Sequence, residues 1–353
     1  MADKKVKIGF VGVGGMGQCA HLKNYDTVPD CQVVAIAELR KDVATKVAAR
    51  YSVPHVYETH EEMLKNEKLD GIVASQQFMR HGILVPELLK ARIPLFIEKP
   101  LAGSIEMGEK ILKALKQSKT WIMVGYHKRS DPATMFAKEE IEKLKKSEEL
   151  GKLKYIRILM PAGDWVAGGF TGLISSEEKG PDLQWDPPAS DMDKKSFDSY
   201  VQFVNYYIHQ VNLMRHLLGE PYHVKYADPT GIVLAGQSKS GVACVIEMTP
   251  YSTSVDWQES ALVAFEHGYL KLELPAPLAA NRPGNVEILK DPRKDGVTPQ
   301  TTIPQLPWVH AMRQQAINFV AAIRGKMKPP CGAEEALEDL KVAREYLKLW
   351  KGV

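Results

Sequence analysis

The chain is poor in cysteine, nearly neutral and without long hydrophobic runs. Its 353 residues include 4 cysteines, and these form neither a CxxC pair nor a Cys/His cluster, so we expect reduced thiols and no metal site. With 46 basic and 43 acidic residues, the net charge of 46 − 43 = +3 favours neither nucleic acid nor a membrane surface as a partner. No signal-peptide pattern and no apolar run of ~20 residues occurs. These absences predict a soluble, cytoplasmic protein.

The composition that remains is that of a globular protein, with 44% apolar and 25% charged residues. A length of 353 residues predicts two domains, with one large α/β unit as the alternative. Short apolar runs in the first part read as buried strands and alternate with helical patterns of ~10–15 residues. The predicted strands are 6–11, 32–37, 70–74, 93–97 and 121–124. This alternation predicts βαβ crossovers and a doubly wound parallel sheet, an α/β fold.

The pattern changes after Gly125, where we place the boundary between a first domain (1–125) and a second (126–353). Later strand-like runs are separated by turn signals and predict a second, mostly antiparallel sheet. They are 154–160, 223–226, 231–234, 242–248, 260–265 and 269–274, with long helices at 199–218, 308–324 and 333–350. The stretch 163–196 has no clear periodicity and is predicted to be a functional loop.

A glycine-rich motif follows the first predicted strand. Gly12-Val13-Gly14-Gly15-Met16-Gly17 fits G-x-G-x-x-G at a strand-to-helix turn. Gly12 permits the tight turn, Gly14 lets the backbone approach a pyrophosphate, and Gly17 lets helix and strand pack closely. The helix N-terminus at Gly15 and Met16 offers free N–H groups to phosphate. The motif predicts a dinucleotide site; the alternative is a purely structural glycine turn.

An acidic residue ends the second predicted strand. Glu38 stands 21 residues after Gly17, where a carboxylate accepts hydrogen bonds from the adenosine ribose and repels a 2′-phosphate. This favours NAD over NADP. Arg40 lies two residues on and could instead hold a 2′-phosphate.

Glu98-Lys99-Pro100 follows the predicted strand at 93–97, at the sheet edge where open α/β sheets bind ligands. A partly desolvated lysine next to an oxidised nicotinamide would have a lowered pKa and could act as a general base. The alternative for Lys99 is an ordinary solvated surface lysine.

Together with His81, Arg129 and Pro132, these motifs resemble the glucose-fructose oxidoreductase / inositol dehydrogenase / rhizopine-catabolism (Gfo/Idh/MocA) family. The resemblance implies a Rossmann domain followed by an α/β domain with a large open sheet. It also implies a homodimer or homotetramer that oxidises or reduces a sugar or polyol with a nicotinamide cofactor. His81 and Glu98 would then belong to the cofactor site, and so would Gln76, in a loop where the family usually has Thr/Ser-Pro. The alternative for Gln76 is a plain loop residue.

The family's second motif, Asp-x-x-x-His-x-x-Asp, matches residues 205–212 with both acids replaced. His209 is retained, and the resemblance implies that it hydrogen-bonds to the reacting hydroxyl or exchanges its proton. Asn205 can orient a hydroxyl but cannot transfer a proton. The alternative for His209 is a satisfied structural histidine.

Two further groups are candidate substrate contacts. A basic trio leaves the strand at 121–124, and the irregular stretch pairs acids with aromatic rings that suit sugars. The candidates are His127, Lys128, Arg129, Asp164, Trp165 and Trp185. A surface turn or subunit contact for the trio, and loop anchors for the tryptophans, are the alternatives.

These residues lead to a hypothesis of NAD-dependent oxidation of a secondary hydroxyl on a sugar, glycoside or polyol, with Lys99, His209 and Asn205 as catalytic residues. A second hypothesis is a glycosidase or lyase that uses tightly held NAD in a transient oxidation followed by β-elimination. A third is a non-catalytic NAD-binding regulator, which the altered motif at 205–212 permits.

Overall fold

The computed structural model describes residues 4–178 and 180–352. Its strands are β1 (Val6–Val11), β2 (Cys31–Ala37), β3 (His55–Tyr57), β4 (Gly71–Ala74), β5 (Leu95–Ile97), β6 (Ile122–Val124), β7 (Leu153–Ala162), β8 (Tyr222–Ala227), β9 (Val233–Ser238), β10 (Ala243–Ser252), β11 (Glu259–Phe265), β12 (Gly268–Leu274), β13 (Asn285–Lys290) and β14 (Gln300–Thr302). Its helices are α1 (Lys23–Tyr25), α2 (Lys41–Arg50), α3 (His60–Asn66), α4 (His81–Leu89), α5 (Ile105–Ser118), α6 (Pro132–Ser147), α7 (Lys194–Tyr206), α8 (Ile208–Leu218), α9 (Ala311–Ile323) and α10 (Ala333–Lys351). A π-helix at Gly17–Leu22 leads into α1.

The chain packs as two units. The first runs to Tyr126 and takes in Gly168–Asp193 and Met312–Leu340; the second comprises His127–Ala167, Lys194–Ala311 and the chain from Lys341 on. A single boundary after residue 125 is predicted from the sequence, whereas in the structure the chain returns twice to the first unit.

The first unit is built on a six-stranded sheet in the order β3-β2-β1-β4-β5-β6, with every neighbouring pair parallel. The central strand β1 is short and β-branched, and its side chains Ile8 and Phe10 are fully buried. Phe319 of α9 packs its ring against Phe96 of β5 and against Tyr25, at centroid distances of 5.8 and 6.3 Å. All six strands end at one edge, which gathers the turns that follow them.

The second unit holds an eight-stranded sheet in the order β14-β13-β12-β11-β7-β10-β9-β8. Among the strand pairs of this second sheet within the described residues, β7–β10 is parallel and the others are antiparallel. Along β7, Ile156 and Ile158 are buried and alternate with half-buried residues. That period of two marks one face as the packed one, and α8 contacts β7. The expectation of a parallel Rossmann sheet followed by a large, mostly antiparallel sheet is confirmed.

Several elements differ from the sequence prediction. The single helix expected at 199–218 is two helices, α7 and α8, with Tyr207 between them. The strand expected at 231–234 lies at 233–238, and α3, β3, β13 and β14 were not predicted. Both β3 and β14 are three-residue edge strands with mostly exposed side chains, so neither shows the apolar alternation that predicts a strand.

Candidate cofactor and substrate sites

The glycine turn joins β1 to the first helix of the first unit. Gly12 has φ +86°, and a Cβ there would collide with the side chain of Gln76. A Cβ at Gly17 would lie 2.7 Å from the carbonyl oxygen of Gly12. At Gly14 the nearest atom would be Nη2 of Arg40, at 3.8 Å. Neighbouring atoms therefore leave no room for a side chain at Gly12 or Gly17, whereas the space beside Gly14 is open. This arrangement fits a phosphate-binding turn.

The open face of the turn consists of Gly14, Gly15 and Met16, which are half-exposed between buried neighbours. The N–H of Gln18 donates to the carbonyl of Gly14 at 2.9 Å and so begins the helix there. The amide groups at this helix start are the ones that would hold a pyrophosphate.

Glu38 directly follows β2 and is buried beside the glycine turn. Its carboxylate accepts from the N–H of Val13 at 2.9 Å and from Nε of Arg40 at 2.8 Å. Burial alone would raise the pKa of Glu38, but the hydrogen bonds from Arg40 and Val13 outweigh burial and lower it. Glu38 is therefore an anion at neutral pH, and the guanidinium of Arg40 is paired with it.

Gln76 and His81 occupy the turn after β4. Gln76 donates through Nε2 to the carbonyl of Val11 at 3.3 Å, which places it against the glycine turn. His81 is fully buried, and its Nδ1–H donates to the carbonyl of Leu101 at 3.1 Å. Burial lowers the pKa of His81, so the ring is neutral. His81 thus ties α4 to the chain after β5.

Glu98 and Lys99 follow β5 at the same sheet edge. Buried Glu98 pairs with Nε2 of His21 and accepts from the N–H of Lys99 at 3.1 Å. Burial would raise the pKa of Glu98, but the charge and hydrogen bond of His21, with the charge of Lys99, lower it overall. The Lys99–Pro100 peptide is cis, and the Lys99 side chain is partly exposed. A fixed carboxylate therefore anchors the backbone that carries the candidate base.

In the second unit, the residues after β6 form a buried 3₁₀ turn at His127–Ser130. The ammonium of Lys128 pairs with Glu259, with side-chain exposures of 4% and 0%. Glu259 also accepts from Nε2 of Gln210 at 2.7 Å and from Nε1 of Trp257 at 3.1 Å. We call Lys128, Gln210, Trp257 and Glu259 the Glu259 cluster. It fixes the 3₁₀ turn to α8 and to β11.

The matched second motif is divided between two helices. His209 lies on α8, with its ring centroid 4.6 Å from that of His127. Arg129 donates through Nε to Oδ1 of Asn212 at 2.8 Å. Asn205 lies exposed on α7, before the break at Tyr207. The structure thus brings the basic trio and His209 together, whereas Asn205 stands on the other helix.

The residues of the irregular stretch fall in both units. Asp164 accepts from the N–H groups of Val166 and Ala167, at 2.9 and 3.0 Å, so its carboxylate stabilises its own turn. Trp165 in the second unit and Trp185 in the first are 37% and 50% exposed. Both rings are available at the surface of their own units.

Four residues of these sites were missed by sequence reasoning: His21, Gln210, Trp257 and Glu259. Glu98 was expected at a buried strand end, where a carboxylate needs a partner. Nothing in the spacing tells which of the 10 histidines of the chain supplies that partner. Glu259 opens a strand and carries no motif.

Within residues 4–178 and 180–352, no group of three or more His, Cys, Asp or Glu side chains is arranged to hold a metal ion. Among the helices of the same residues, none is both long and apolar enough to cross a membrane.

Comparison with known proteins identifies the first domain. The model of the Gfo/Idh/MocA oxidoreductase family, NAD-binding Rossmann fold, matches residues 6–126. Inositol 2-dehydrogenase of Rubrobacter xylanophilus is 32% identical over 141 residues, 39% of this chain and 40% of that protein. Myo-inositol 2-dehydrogenase of Thermotoga maritima is 22% identical over 236 residues, 67% of this chain and 62% of that protein. The chain thus aligns with less than two thirds of the length of either relative.

The fold likeness extends over both units. The structure of a levoglucosan dehydrogenase in complex with NADH and levoglucosan has a TM-score of 0.73, with 16% identity, and covers 99% of this chain and 98% of that one. The motif residues after the strands of the first sheet lie within the matched segment. Residues 6–126 thus match the NAD-binding Rossmann domain of the Gfo/Idh/MocA oxidoreductase family, and the whole chain shares its fold with a dehydrogenase structure.

Proposed function

We propose that this chain is an NAD-dependent oxidoreductase that transfers hydride between the cofactor and a secondary hydroxyl of a sugar, glycoside or polyol. The observation that carries the proposal is the shared edge of the parallel sheet. There the glycine turn after β1, Glu38 after β2 and Lys99 after β5 lie on one set of strand ends. An open phosphate-binding turn, an acid for the ribose and a candidate base belong to one dinucleotide-dependent reaction.

The residues of the first unit fit a nicotinamide cofactor. The backbone of Gly14, Gly15 and Met16 would hold the pyrophosphate, and Glu38 would accept from the adenosine ribose hydroxyls. Gln76, His81 and Glu98 would shape the nicotinamide end, Gln76 directly and the other two by fixing the turns around it. The pairing of Arg40 with Glu38 supports NAD over NADP, because the cation that a 2′-phosphate would need is already neutralised.

When bound, the cofactor supplies the hydride chemistry. In the oxidation direction, Lys99 takes the hydroxyl proton at Nζ as the carbinol C–H bond breaks, and it then releases that proton to water. His209 hydrogen-bonds to the reacting oxygen, and Asn205 orients the hydroxyl. Direct substrate contact by His127, Lys128, Arg129, Asp164, Trp165 and Trp185 remains a prediction, as does a homodimer or homotetramer.

A substrate panel tests the proposal. The purified chain is assayed with NAD and with NADP against hexoses, inositols and disaccharides by NADH or NADPH absorbance, and against nitrophenyl glycosides by release of nitrophenol. Substrate-dependent reduction of NAD supports the proposal. Cleavage of a nitrophenyl glycoside without net NADH favours the transient-oxidation glycosidase or lyase. Binding of NADH without turnover on any substrate favours the regulator.

A further inference from the structure

A segment of the first unit, residues 168–178, runs beside the cofactor turn; we call it the strap. Gln18, the residue after the glycine motif, holds the strap by two bonds to Ile174: its Nε2 donates to the carbonyl at 2.9 Å and its Oε1 accepts from the N–H at 3.0 Å. Arg50 of α2 donates to the carbonyl of Gly172. A Cβ added at Gly15 would lie 3.6 Å from the ring of Phe170. The strap therefore has a fixed place along the glycine turn and α2.

The strap ends with a carboxylate at the N-terminus of α2. Oε2 of Glu178 accepts from the N–H of Asp42 at 2.9 Å, and the N–H of Glu178 donates to Oγ of Ser176 at 3.1 Å. The N-cap residue of α2 is Arg40, whose side chain forms no capping hydrogen bond, because a guanidinium has no acceptor. The positive end of this ten-residue helix is thus satisfied by an anion from a distant part of the chain.

Glu178 bonds to a helix that begins near the proposed adenosine site. Helix α2 starts three residues after Glu38, the acid expected to bind the adenosine ribose. Enzymes that bind NADP place an arginine near the ribose to hold the 2′-phosphate. Arg40 is the arginine available here, and it feels the charges of both Glu38 and Glu178. A 2′-phosphate would meet two carboxylates, and the α2 amide of Asp42 that could bind it is already taken.

We propose that Glu178 is a specificity-determining residue, which strengthens the preference for NAD by occupying the N-terminal amide of α2 and repelling a 2′-phosphate. This inference rests on the proposed function and adds to it a residue 140 positions from Glu38, contributed by the strap. Glu38 discriminates at the ribose itself, whereas Glu178 discriminates by charge at the helix end.

The test compares two neighbouring variants, Glu178→Gln and Glu177→Gln. Glutamine at 178 keeps an oxygen that can accept from the N–H of Asp42 but removes the charge, so the capping bond remains. Glu177 is an exposed neighbour, and its substitution changes the net charge of the chain by the same amount. The dissociation constants of NADH and of NADPH are measured by nucleotide fluorescence for both variants and for the unmodified chain.

We expect Glu178→Gln to shift the NADPH-to-NADH ratio of dissociation constants about three- to tenfold toward NADPH, as removal of one charge a few ångströms from a phosphate predicts. Glu177→Gln should shift it less than about twofold, because it is Glu178 that accepts from the N–H of Asp42 and acts by its charge on Arg40. An equal shift in the two variants overturns the inference. So does an equal weakening of both nucleotides by Glu178→Gln, which would show a purely structural cap.

The unmodified chain separates this inference from the proposed function. If it binds neither nucleotide, the proposed oxidoreductase function fails, and the role of Glu178 fails with it. If it binds NADPH more tightly than NADH, the preference for NAD is wrong. If it prefers NADH and Glu178→Gln leaves the ratio unchanged, only the role of Glu178 is wrong.

Discussion

The glycine turn of the first unit and the Glu259 cluster of the second hold polar groups in two different ways. The turn is made of consecutive residues whose backbone is proposed to bind the cofactor, and only two of its glycines are sterically required. The cluster draws a lysine, a glutamine, a tryptophan and a glutamate from positions 128 to 259, and all of its bonds are between side chains. A contiguous backbone site can therefore be recognised in a sequence, whereas a buried side-chain network forms from residues that only the folded chain brings together.

The largest effect is expected at the buried ion pair. Glu259→Gln leaves the ammonium of Lys128 without its counter-charge, and the loss of one partner of a buried pair lowers the free energy of unfolding by about 3–5 kcal/mol. The double variant Lys128→Met/Glu259→Gln should lose less than the sum of the two single variants. Urea unfolding of all four proteins measures this coupling.

A matched pair on the same sheet serves as the control for that cycle. Lys271 and Glu273 form an ion pair at 2.6 Å, but both side chains are about half exposed. Glu273→Gln should therefore change the free energy of unfolding by less than about 1 kcal/mol. Additive losses at Lys128 and Glu259 would show that the cluster is not a coupled network.

The glycine turn offers a second comparison, between a closed and an open position. Gly12→Ala introduces a Cβ at positive φ and against Gln76, and should lower the free energy of unfolding by about 1–3 kcal/mol. Gly14→Ala meets nothing nearer than 3.8 Å, so stability should change by less than about 1 kcal/mol, while NADH affinity falls because the backbone can no longer approach the pyrophosphate. Thermal unfolding and NADH titration separate the two effects. Equal stability losses would contradict the open position of Gly14.

A pH-dependent effect is expected at a buried carboxyl group beside the Glu259 cluster. Burial raises the pKa of Asp131 from 3.8 to about 6, although its Oδ1 accepts from the N–H groups of Ala133 and Gly284. A folded-state pKa above the unfolded value means that this group lowers stability as the pH rises from about 4 through about 6. Asp131→Asn keeps an acceptor for both bonds and removes that charge.

The Asp131→Asn variant should therefore gain stability over the unmodified chain as the pH rises, by about 1–3 kcal/mol at pH 7 and by little at pH 4. Urea unfolding at a series of pH values measures the difference. A difference that does not vary with pH would show that Asp131 is not the titrating group.

The contiguous motifs of the first unit could be predicted from the sequence. The parallel sheet, the glycine turn, Glu38 and Glu98-Lys99-Pro100 lie in short segments whose spacing carries their role, so the sequence predicts their placement at one sheet edge. The break at Tyr207 could not be predicted, because it lies within a continuous amphipathic pattern. One interrupted helical turn does not change the spacing of the apolar residues.

Partners across long separations could not be predicted. His21 meets Glu98 over 77 positions and Glu178 meets Asp42 over 136, and both pairs depend on which segments the fold brings together. The strap lies in a stretch without periodicity, so its hydrogen bonds to Gln18 and α2 could not be predicted from the sequence. A buried acid or an uncapped helix needs a hydrogen-bond partner, but the sequence does not show which residue supplies it.

The most direct test of the proposed chemistry is Lys99→Met, assayed for NADH affinity and for turnover on a substrate found in the panel. We expect turnover to fall about 10²- to 10⁴-fold, the contribution of a positioned proton acceptor, while the NADH dissociation constant changes less than about threefold. Lys116→Met, at an exposed position on α5, should leave both unchanged. Full turnover in Lys99→Met, with cofactor affinity intact, would contradict the role of Lys99 and with it the proposed mechanism.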